Sequence, residues 1–311
     1  MYDLHRLRVL RELKHRGTLA AVARALAYSP SAISQQLSLL EAEVGIPLLE
    51  PVGRRVGLTD QAEILVAHTE TILRQLETAE ADLATSLSEL RGTLRIASFQ
   101  TAALALVPTA LDRLRGLHPS LRVHVTQVEP EVALPALQAR DFDLVIAEEY
   151  PGNPNPRPAS LDSEDLFDDA LHLAVPRGVP SKVRSSDLLD SLADQPWVME
   201  PVGTAARQWA MTLCRTAGFE PDVRFEGSDL LVHIRLVERG HAAALIPNLA
   251  WDGERPTVVL HQLPRGQRSR RIFTVAREGG SQHPAVQACR DALKRAASEV
   301  AVRRRTARSP D

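Results

Sequence analysis

The stretch YSPSAISQQLSLLE, from Tyr28 to Glu41, predicts a helix with two different faces. Ser29 followed by Pro30 favours a helix start, because serine caps the first turn and proline fits its first position. Apolar side chains recur at helical spacing, at Ile33, Leu37, Leu40 and Val44. The opposite face carries the short polar side chains of Ser31, Ser34, Gln35 and Ser38. One face is therefore expected to be buried and the other to be presented to a partner or to solvent.

Two further helices are predicted upstream of this stretch. Their apolar positions are Leu4, Leu7, Leu10 and Leu13, and then, after a break at Gly17 and Thr18, Leu19, Val22, Ala23 and Leu26. A tight turn at residues 27–28 would join the second helix to the one that begins after Ser29. Two helices joined in this way are typical of a helix-turn-helix, whose second helix enters the major groove of DNA. The polar face alone fits a solvated face of a small helical bundle equally well.

The segment after Gly45 predicts a β-hairpin, because residues 46–59, IPLLEPVGRRVGLT, hold two short apolar runs around VGRR at residues 52–55. Arg54 and Arg55 at the hairpin tip are suited to phosphates or the minor groove. Gln35 can pair with adenine, and Ala32 can contact a thymine methyl group. The sequence therefore predicts a winged helix-turn-helix over residues 1–58 that binds double-stranded DNA. Its predicted DNA contacts are Ser29, Pro30, Ser31, Ala32, Ser34, Gln35, Ser38, Arg54 and Arg55.

A long helix is predicted after the hairpin, because Thr59 is a suitable cap and residues 60–90 contain no glycine or proline. Positions spaced alternately four and three apart form one seam, which holds Leu65, Thr69, Ile72, Leu76, Ala79, Leu83, Ser86 and Leu90. A seam of this length is typical of a coiled-coil-like helix. We expect residues 59–91 to form a linker and two chains to pair as a homodimer through residues 60–90.

The remainder of the chain alternates between strand-like and helix-like segments, which predicts an α/β domain with largely parallel sheets. Strands are expected at residues 94–97, 121–127, 142–147, 171–175, 197–199, 223–226, 243–246, 258–263 and 271–276. Helices are expected at residues 102–117, 131–140, 186–192, 205–216, 229–239 and 284–300. A proline-rich segment at residues 150–158 is interpreted as an exposed loop near the crossing between two lobes. The first lobe comprises about 92–163 and 272–300, and the second about 164–271.

The order of these features resembles the LysR-type transcriptional regulator family. The segments that carry the resemblance are GTLAAVARAL, SPSAISQQLSLLE, VGIPLLE and GRRVGLT, followed by the long helix. Leu49 and Pro51 depart from the aromatic residue and the arginine that the family commonly has there. The resemblance implies a multi-domain α+β protein with a C-terminal effector domain over residues 92–302, of the type 2 periplasmic-binding-protein kind. It also implies a homotetramer built from two dimers and a small-molecule effector bound between the lobes.

The candidate effector-binding residues follow predicted strands, at the strand ends where such folds bind ligands. They are Ser98, Gln100 and Thr101 after the first strand, Gln127 and Glu129 after the second, Glu148 after the third, Gly203 and Thr204 in the second lobe, and Asn248 after ALIP. Hydroxyl groups at helix N-termini suit a carboxylate or another small anion. If Glu148 or Glu129 binds a cation as well, the effector is an amino acid or a similar zwitterion, and a plain carboxylate is the alternative.

Several classes of protein find no support in the sequence. The chain has 311 residues and a net charge of −2. Its two cysteines, Cys214 and Cys289, are far apart in sequence, which favours a reducing compartment. No apolar run is long enough for a membrane segment, so a cytoplasmic protein is expected. No metal-binding spacing and no catalytic motif is present, so neither an enzyme nor a cofactor is expected. Two rivals stay open: an enzyme on the binding-protein fold and an architectural DNA-binding protein without an effector. Residues 303–311 are expected to form a disordered basic tail.

Overall fold

The structure is a computed structural model that describes residues 2–53, 55–154, 158–176, 189–252 and 254–308. Its N-terminal domain consists of α1 (Leu4–Arg16), α2 (Leu19–Leu26), α3 (Pro30–Val44) and a hairpin of β1 (Leu49–Val52) and β2 (Arg55–Leu58). Asp3, Thr18 and Ser29 cap the three helices through side-chain oxygens that accept main-chain N–H groups. The helix starts and the hairpin agree with the sequence prediction, whereas Arg54 lies outside the described residues.

The linker helix α4 (Asp60–Thr85) follows the hairpin and contacts both α1 and the C-terminal domain. Thr59 caps this helix as predicted, but the helix ends five residues before Leu90. Thr85 and Ser86 each donate a hydroxyl hydrogen to a main-chain carbonyl of the preceding turn, at 2.9 and 2.7 Å. Thr69 and Thr78 make the same kind of contact inside α4, so these hydrogen bonds mark the last turn but do not by themselves end the helix. Leu90 instead packs against the core of the first lobe.

The first lobe of the C-terminal domain is built on a mixed sheet. Its strands are β3 (Gly92–Ser98), β4 (Leu121–Gln127) and β5 (Leu144–Glu149), with β11 (Ser269–Arg277) and the first part of β6 (Leu161–Val175) beside them. The helices of this lobe are α5 (Gln100–Ala105), α6 (Val107–Leu117), α7 (Pro130–Gln138) and α10 (Pro284–Arg308). The single helix predicted for residues 102–117 is in fact two helices that meet at Leu106. Pro108 accounts for the break, because it has no N–H for a continuous helix.

The second lobe contains a parallel pair of strands, β7 (Pro196–Met199) and β8 (Asp222–Glu226), and two strands, β9 (Ala244–Pro247) and β10 (Val259–Gln262), that pair with the last residues of β6. Its helices are α8 (Ala205–Thr216) and α9 (Leu230–Glu238), with a short 3₁₀ helix at Asn248–Trp251. The chain crosses between the lobes in β6 and returns in β11. The prediction of largely parallel sheets is wrong for these crossing strands, which pair antiparallel because they carry the chain in opposite directions.

Strand β6 begins at Leu161, ten residues before the strand predicted at 171–175. Its first part is rich in aspartate and glutamate, which disfavour strands. Pairing with β11 and contacts with arginines offset this preference. Arg290, whose side chain is fully buried, lies 2.6 Å from Asp162 and 2.7 Å from Glu164. The acidic stretch is therefore a paired strand and not a loop.

The C-terminal helix α10 continues to Arg308. Residues 303–308, predicted as part of a disordered tail, are therefore helical, and residues 309–311 lie outside the described residues. Residues 186–188 of the helix predicted at 186–192 also lie outside them, and of the rest only residues 189–190 are helical. The proline-rich segment is not exposed throughout, because Tyr150 at its start is buried between the lobes.

Candidate DNA-binding surface and effector pocket

The candidate DNA-binding surface is the exposed face of α3. Ser29, Pro30, Ser31, Ser34, Gln35 and Ser38 are exposed, and Ala32 is half-buried. The hydroxyl groups of Ser29 and Ser31 lie 2.9 Å apart at the start of the helix. Glu41 fixes the hairpin beside α3, because its Oε1 accepts the main-chain N–H groups of Leu48 and Leu49, at 2.9 and 3.1 Å. The recognition face and the hairpin are thus held as one rigid surface.

A pocket lies between the two lobes. It is lined by the C-terminal ends of β3, β5 and β7 and by the N-terminal ends of α5, α7, α8 and α9. The charged and polar lining residues are Gln100, Thr101, Glu129, Glu131, Glu148, Tyr150, Glu200, Thr204, Ser228, His233 and Arg270. Apolar walls include Phe99, Leu171 and Trp209. The lining is therefore apolar on its walls and strongly acidic elsewhere.

The guanidinium group of Arg270, which is 2% exposed, lies at the base of this pocket. Its Nε and Nη2 contact Asp169 Oδ2 at 3.1 and 3.0 Å, and its Nη1 contacts the Glu148 carboxylate. Nη2 also donates to Thr101 Oγ1 at 2.6 Å, and Nη1 donates to the Tyr150 hydroxyl oxygen at 3.2 Å. An arginine has five N–H donors, and these five contacts match them in number.

Glu129 and Glu200 are the carboxyl groups of the pocket whose pKa values are most clearly displaced. Burial, together with Glu148 and Glu131, raises the pKa of Glu129 to about 7. Burial, together with Glu129 and Glu148, raises the pKa of Glu200 to about 8. Among the described residues, Glu200 Oε2 is buried without a hydrogen-bond partner. The charge of Arg270 lowers the pKa of both groups, but by less than burial and the neighbouring carboxylates raise it.

Side chains of the first lobe occupy the helix starts of the second lobe. Glu131 Oε1 accepts the N–H of Ala205, at the start of α8, at 2.6 Å. Gln100 Oε1 accepts the N–H of Leu230, at the start of α9, at 2.9 Å, and Gln100 Nε2 donates to Asp229 Oδ1 at 2.7 Å. These contacts join the two lobes across the pocket. The N-terminus of α8, which was predicted from the sequence to bind an anion, thus already binds the carboxylate of Glu131.

The structure brings only part of the predicted effector set together. Gln100, Thr101, Glu148 and Thr204 line the pocket, and Glu129, also proposed from the sequence, lines it with them. Ser98 is fully buried and donates to the Phe99 carbonyl at 3.2 Å. Gln127 is exposed, Gly203 lines a separate surface groove, and Asn248 begins the 3₁₀ helix away from the pocket lining.

Sequence reasoning missed Glu131, Glu200, Tyr150 and Arg270 as pocket residues. Arg270 carried a usable signal, because it stands at the start of an apolar strand, where a charged side chain needs a buried partner. Glu200 also carried one, because it directly follows the buried strand segment Trp197–Met199. That both side chains line one pocket could not be read from the sequence, since it depends on how the crossing strands are aligned.

A second charged cluster joins the DNA-binding domain and linker helix to the first lobe, and we name it the head–lobe interface. It comprises Arg11, Arg16, Glu70, Glu77, Arg140, Asp141 and Arg277. Glu77 Oε1 lies 3.1 Å from Arg140 Nε and 2.6 Å from Arg277 Nε. Although burial opposes the change, the hydrogen bond from His15 and the charges of Arg11 and Arg140 lower the pKa of Glu70 to about 2. The interface therefore stabilises the Glu70 carboxylate in the charged form.

Helix α7 connects this interface with the pocket. Its first turn carries Glu131, and the preceding residue Glu129 lines the pocket with it. At its other end, Arg11 donates through Nη2 to the carbonyl of Gln138. Nine residues at a rise of 1.5 Å span about 13 Å. One short rigid helix thus contacts both the pocket and the DNA-binding domain.

Two further properties limit the chemistry of the described part of the chain. No helix within it combines the length and apolar composition needed to span a membrane. No group of three or more His, Cys, Asp or Glu side chains there is placed to hold a metal ion. Cys214 and Cys289 are both buried, and burial raises the pKa of each thiol to about 12.

Comparison with known proteins agrees with this arrangement of domains. Residues 4–63 match the model of the bacterial regulatory helix-turn-helix protein of the lysR family, and residues 87–298 match the LysR substrate binding domain. The transcriptional dual regulator GltC of Bacillus subtilis is 29% identical over 255 residues, which are 82% of this chain and 83% of that protein. A probable hydrogen peroxide-inducible genes activator of Mycobacterium avium is 27% identical over 279 residues, 89% of this chain and 88% of that protein.

The shared fold extends to solved structures. A full-length OxyR variant from Pseudomonas aeruginosa superimposes with a TM-score of 0.67 at 18% identity, covering 94% of this chain and 95% of that one. Both family models match, and the match to the LysR substrate binding domain alone spans more than half of the chain. The chain therefore belongs to the LysR family of transcriptional regulators, in which a helix-turn-helix domain binds DNA and a two-lobed domain binds the controlling effector.

Proposed function

We propose that the exposed face of α3 reads an operator in the major groove, with Ser31, Ala32, Ser34 and Gln35 toward the bases. The observation that supports this assignment is the exposure of that face beside a hairpin fixed by Glu41. Short side chains let a helix approach base edges closely. Ser29, Pro30 and Ser38 flank the reading face, and Arg54 and Arg55 of the hairpin contact phosphates or the minor groove.

The reading unit is a homodimer formed through α4. Ile72, Leu76 and Leu83, which belong to the seam predicted from the sequence, are 44%, 43% and 68% exposed in the single chain. Val66 and Leu73, on the other side of α4, are buried inside the single chain. An exposed apolar stripe on a helix of this length suits pairing with a second copy. Two such dimers form the homotetramer, which acts in the cytoplasm as a non-enzymatic regulator.

The effector signal passes from the pocket to the DNA-binding domain through α7. A ligand that displaces Glu131 or Gln100 from the second lobe changes how the lobes close. Movement of α7 then alters the contact between the Gln138 carbonyl and Arg11. For this to regulate transcription, the effector must bind one arrangement more tightly than the other.

Thiol oxidation is not the proposed signal, although the names of some relatives refer to hydrogen peroxide. A peroxide-reactive cysteine needs an accessible thiolate. Cys214 and Cys289 are buried with pKa values raised to about 12, and they belong to separate core clusters. These observations support reversible ligand binding in the pocket.

The proposed reading surface is tested by selection of randomised duplexes with the full-length protein at one fixed salt concentration. We expect a pseudo-palindromic operator, because a symmetric dimer binds two half-sites. Gln35→Ala should lose about 1–3 kcal/mol on the selected operator and relax specificity at one position. Arg54→Ala should instead weaken binding to every sequence and reduce its salt dependence. Equal losses for Gln35→Ala on operator and scrambled DNA would contradict the assignment.

A further inference from the structure

We infer that the effector of this regulator is a small organic cation, with at least one ammonium or amidinium group bound between Glu129 and Glu200. This inference rests on the proposed function, because it assigns a chemical class to the ligand of the same pocket. The sequence left an amino acid and a plain carboxylate open. The structure favours a positively charged ligand on four separate grounds.

The first ground is the balance of charge. The described groups in and beneath the pocket comprise five carboxyl groups, of Glu129, Glu131, Glu148, Asp169 and Glu200, and one guanidinium, of Arg270. His233 adds no charge, because burial lowers its pKa and its Nε2 contacts the Gly227 carbonyl at 2.7 Å. A cationic ligand would favour the ionised form of these carboxyl groups, whereas an anion would disfavour it further.

The second ground is that Arg270 offers no spare donor to an anion. Its five N–H groups are matched by contacts with Asp169, Glu148, Thr101 and Tyr150. A ligand carboxylate could bind Arg270 only by displacing one of these acceptors. Displacing Asp169 or Glu148 would leave a buried carboxylate unpaired, which is strongly unfavourable. Displacing Thr101 or Tyr150 would bring a further carboxylate beside the two already there.

The third ground is that the helix ends of the second lobe are occupied. The start of α8 holds the Glu131 carboxylate, and the start of α9 holds the Gln100 amide. The Thr204 hydroxyl oxygen accepts the N–H of Arg207 and its hydrogen is donated to the Pro201 carbonyl. The groups expected to bind an anion are therefore engaged within the protein.

The fourth ground is an acceptor without a partner. Glu200 Oε2 is buried and has no hydrogen-bond partner among the described residues, although it borders the pocket. Arg207 lies behind Glu200 and contacts its main-chain carbonyl at 3.0 Å, but its charge is paired with Glu226 at 3.1 Å. An ammonium or amidinium group would supply the missing donor.

The ligand is organic because of the walls of the pocket. Phe99, Leu171 and Trp209 present apolar surface, which suits methylene groups between or beside the charges. In the described part of the chain, the acidic side chains are not placed as a set of metal ligands. A short alkyl chain that carries a protonated nitrogen therefore fits both the charge and the surface.

Calorimetric titration of the full-length protein tests the inference with three probes of matched length. The probes are 1,4-diaminobutane, the neutral 1,4-butanediol and the dianion succinate. We expect saturable binding of the diamine alone. Glu200→Gln, which keeps the size of the side chain and removes its charge, should weaken diamine binding about 10- to 100-fold. Glu220→Gln is the matched control, because Glu220 is an exposed acid of the same lobe outside the pocket, and it should leave binding unchanged.

The outcomes separate this inference from the proposed function. Binding of succinate in preference to the diamine, or no diamine binding up to millimolar concentration, would overturn the cationic ligand while leaving the DNA-reading surface intact. Diamine binding that Glu200→Gln does not weaken would also overturn it, because the site would lie elsewhere. Diamine binding that depends on Glu200 but leaves operator affinity unchanged would support the ligand class and contradict effector control through α7.

Discussion

The effector pocket, with buried charges, and the head–lobe interface, with mostly half-buried ones, both concentrate charged side chains, but only the interface balances them. In the interface, Glu77 meets Arg140 and Arg277, and the pKa of Glu70 is lowered to about 2. In the pocket, the pKa values of Glu129 and Glu200 are raised to about 7 and about 8. Paired charges hold two domains together, whereas unpaired charges of one sign leave a site that a ligand of opposite sign can complete.

The two regions are expected to respond to pH in opposite directions. Glu70 has a folded pKa below its ordinary value of 4.5, so its contribution to stability is present above about pH 4.5 and lost as the pH falls toward about 2. Glu200 has a folded pKa above 4.5, so stability is lost as the pH rises from about 4.5 to about 8. At about pH 8, Glu200 in the ligand-free pocket therefore destabilises the fold, whereas Glu70 in the interface contributes its full stabilisation at the same pH.

The largest effect is expected from removing the one arginine of the pocket lining. Arg270→Met leaves Glu148 and Asp169 buried without their guanidinium and should lower the free energy of unfolding by about 3–5 kcal/mol. Urea denaturation near neutral pH measures this loss. Arg271→Met is the control, because Arg271 is more exposed and pairs with the exposed Asp165 at 3.3 Å. A loss of less than about 1 kcal/mol for Arg270→Met would show that the carboxyl groups are neutral without it.

The head–lobe interface should be the next most sensitive region. Glu77→Gln removes the carboxylate that Arg140 and Arg277 share, and the expected loss of stability is about 2–3 kcal/mol. Glu80→Gln changes an exposed acid one turn further along α4 and should have little effect. Urea denaturation and limited proteolysis between the DNA-binding domain and the first lobe report the result. Equal behaviour of the two variants would mean that the interface charges contribute no net stability.

A steric change can separate the linker helix from the first lobe without altering charge. A Cβ added at Gly279 would lie 2.5 Å from the main-chain oxygen of Arg74 in α4, whereas one added at Gly280 meets nothing within 4 Å. Gly279→Ala should therefore cost about 1–3 kcal/mol and weaken the response of operator binding to effector. Gly280→Ala is the control for both measurements. A response of Gly279→Ala equal to that of the control would show that this contact does not transmit the signal.

A change of opposite sign, a gain in stability, is expected at Glu200 of the pocket. Glu200→Gln removes a buried carboxyl group whose ionisation is unfavourable in the folded chain. The variant should be more stable than the wild type near pH 8 and similar to it near pH 4.5. Thermal denaturation across this pH range measures the difference. A variant that is less stable than the wild type at the higher pH would mean that Glu200 already has a cationic partner.

The extent of successful prediction differs between regions for physical reasons. The N-terminal domain was predictable because its signals are local: Thr18 and Ser29 cap their helices, and Ile33 and Leu37 repeat at helical spacing. Strand β6 was missed in its first part because Asp162 and Glu164 are stabilised there by Arg290, which lies more than a hundred residues away in sequence. Long-range pairing of this kind leaves no local pattern.

The pocket shows the same limit. Thr101, Glu148 and Thr204 follow strands or begin helices, so their place at the lobe boundary could be inferred from position. The nature of the site could not, because its charge depends on Glu131 and Arg270, which the fold brings in from other elements. Position predicted several residues that line the pocket, whereas the concentration of carboxyl groups became visible only in three dimensions.

The most direct test of the account is the affinity for the selected operator with and without saturating 1,4-diaminobutane, at constant ionic strength. The wild type and Glu200→Gln are measured in parallel, since the variant reports any direct action of the diamine on DNA. The account predicts that the diamine changes the operator affinity of the wild type by about 5- to 150-fold and leaves the variant nearly unchanged. The same change in both proteins, or no change in either, would contradict the coupling of an acidic effector pocket to DNA reading.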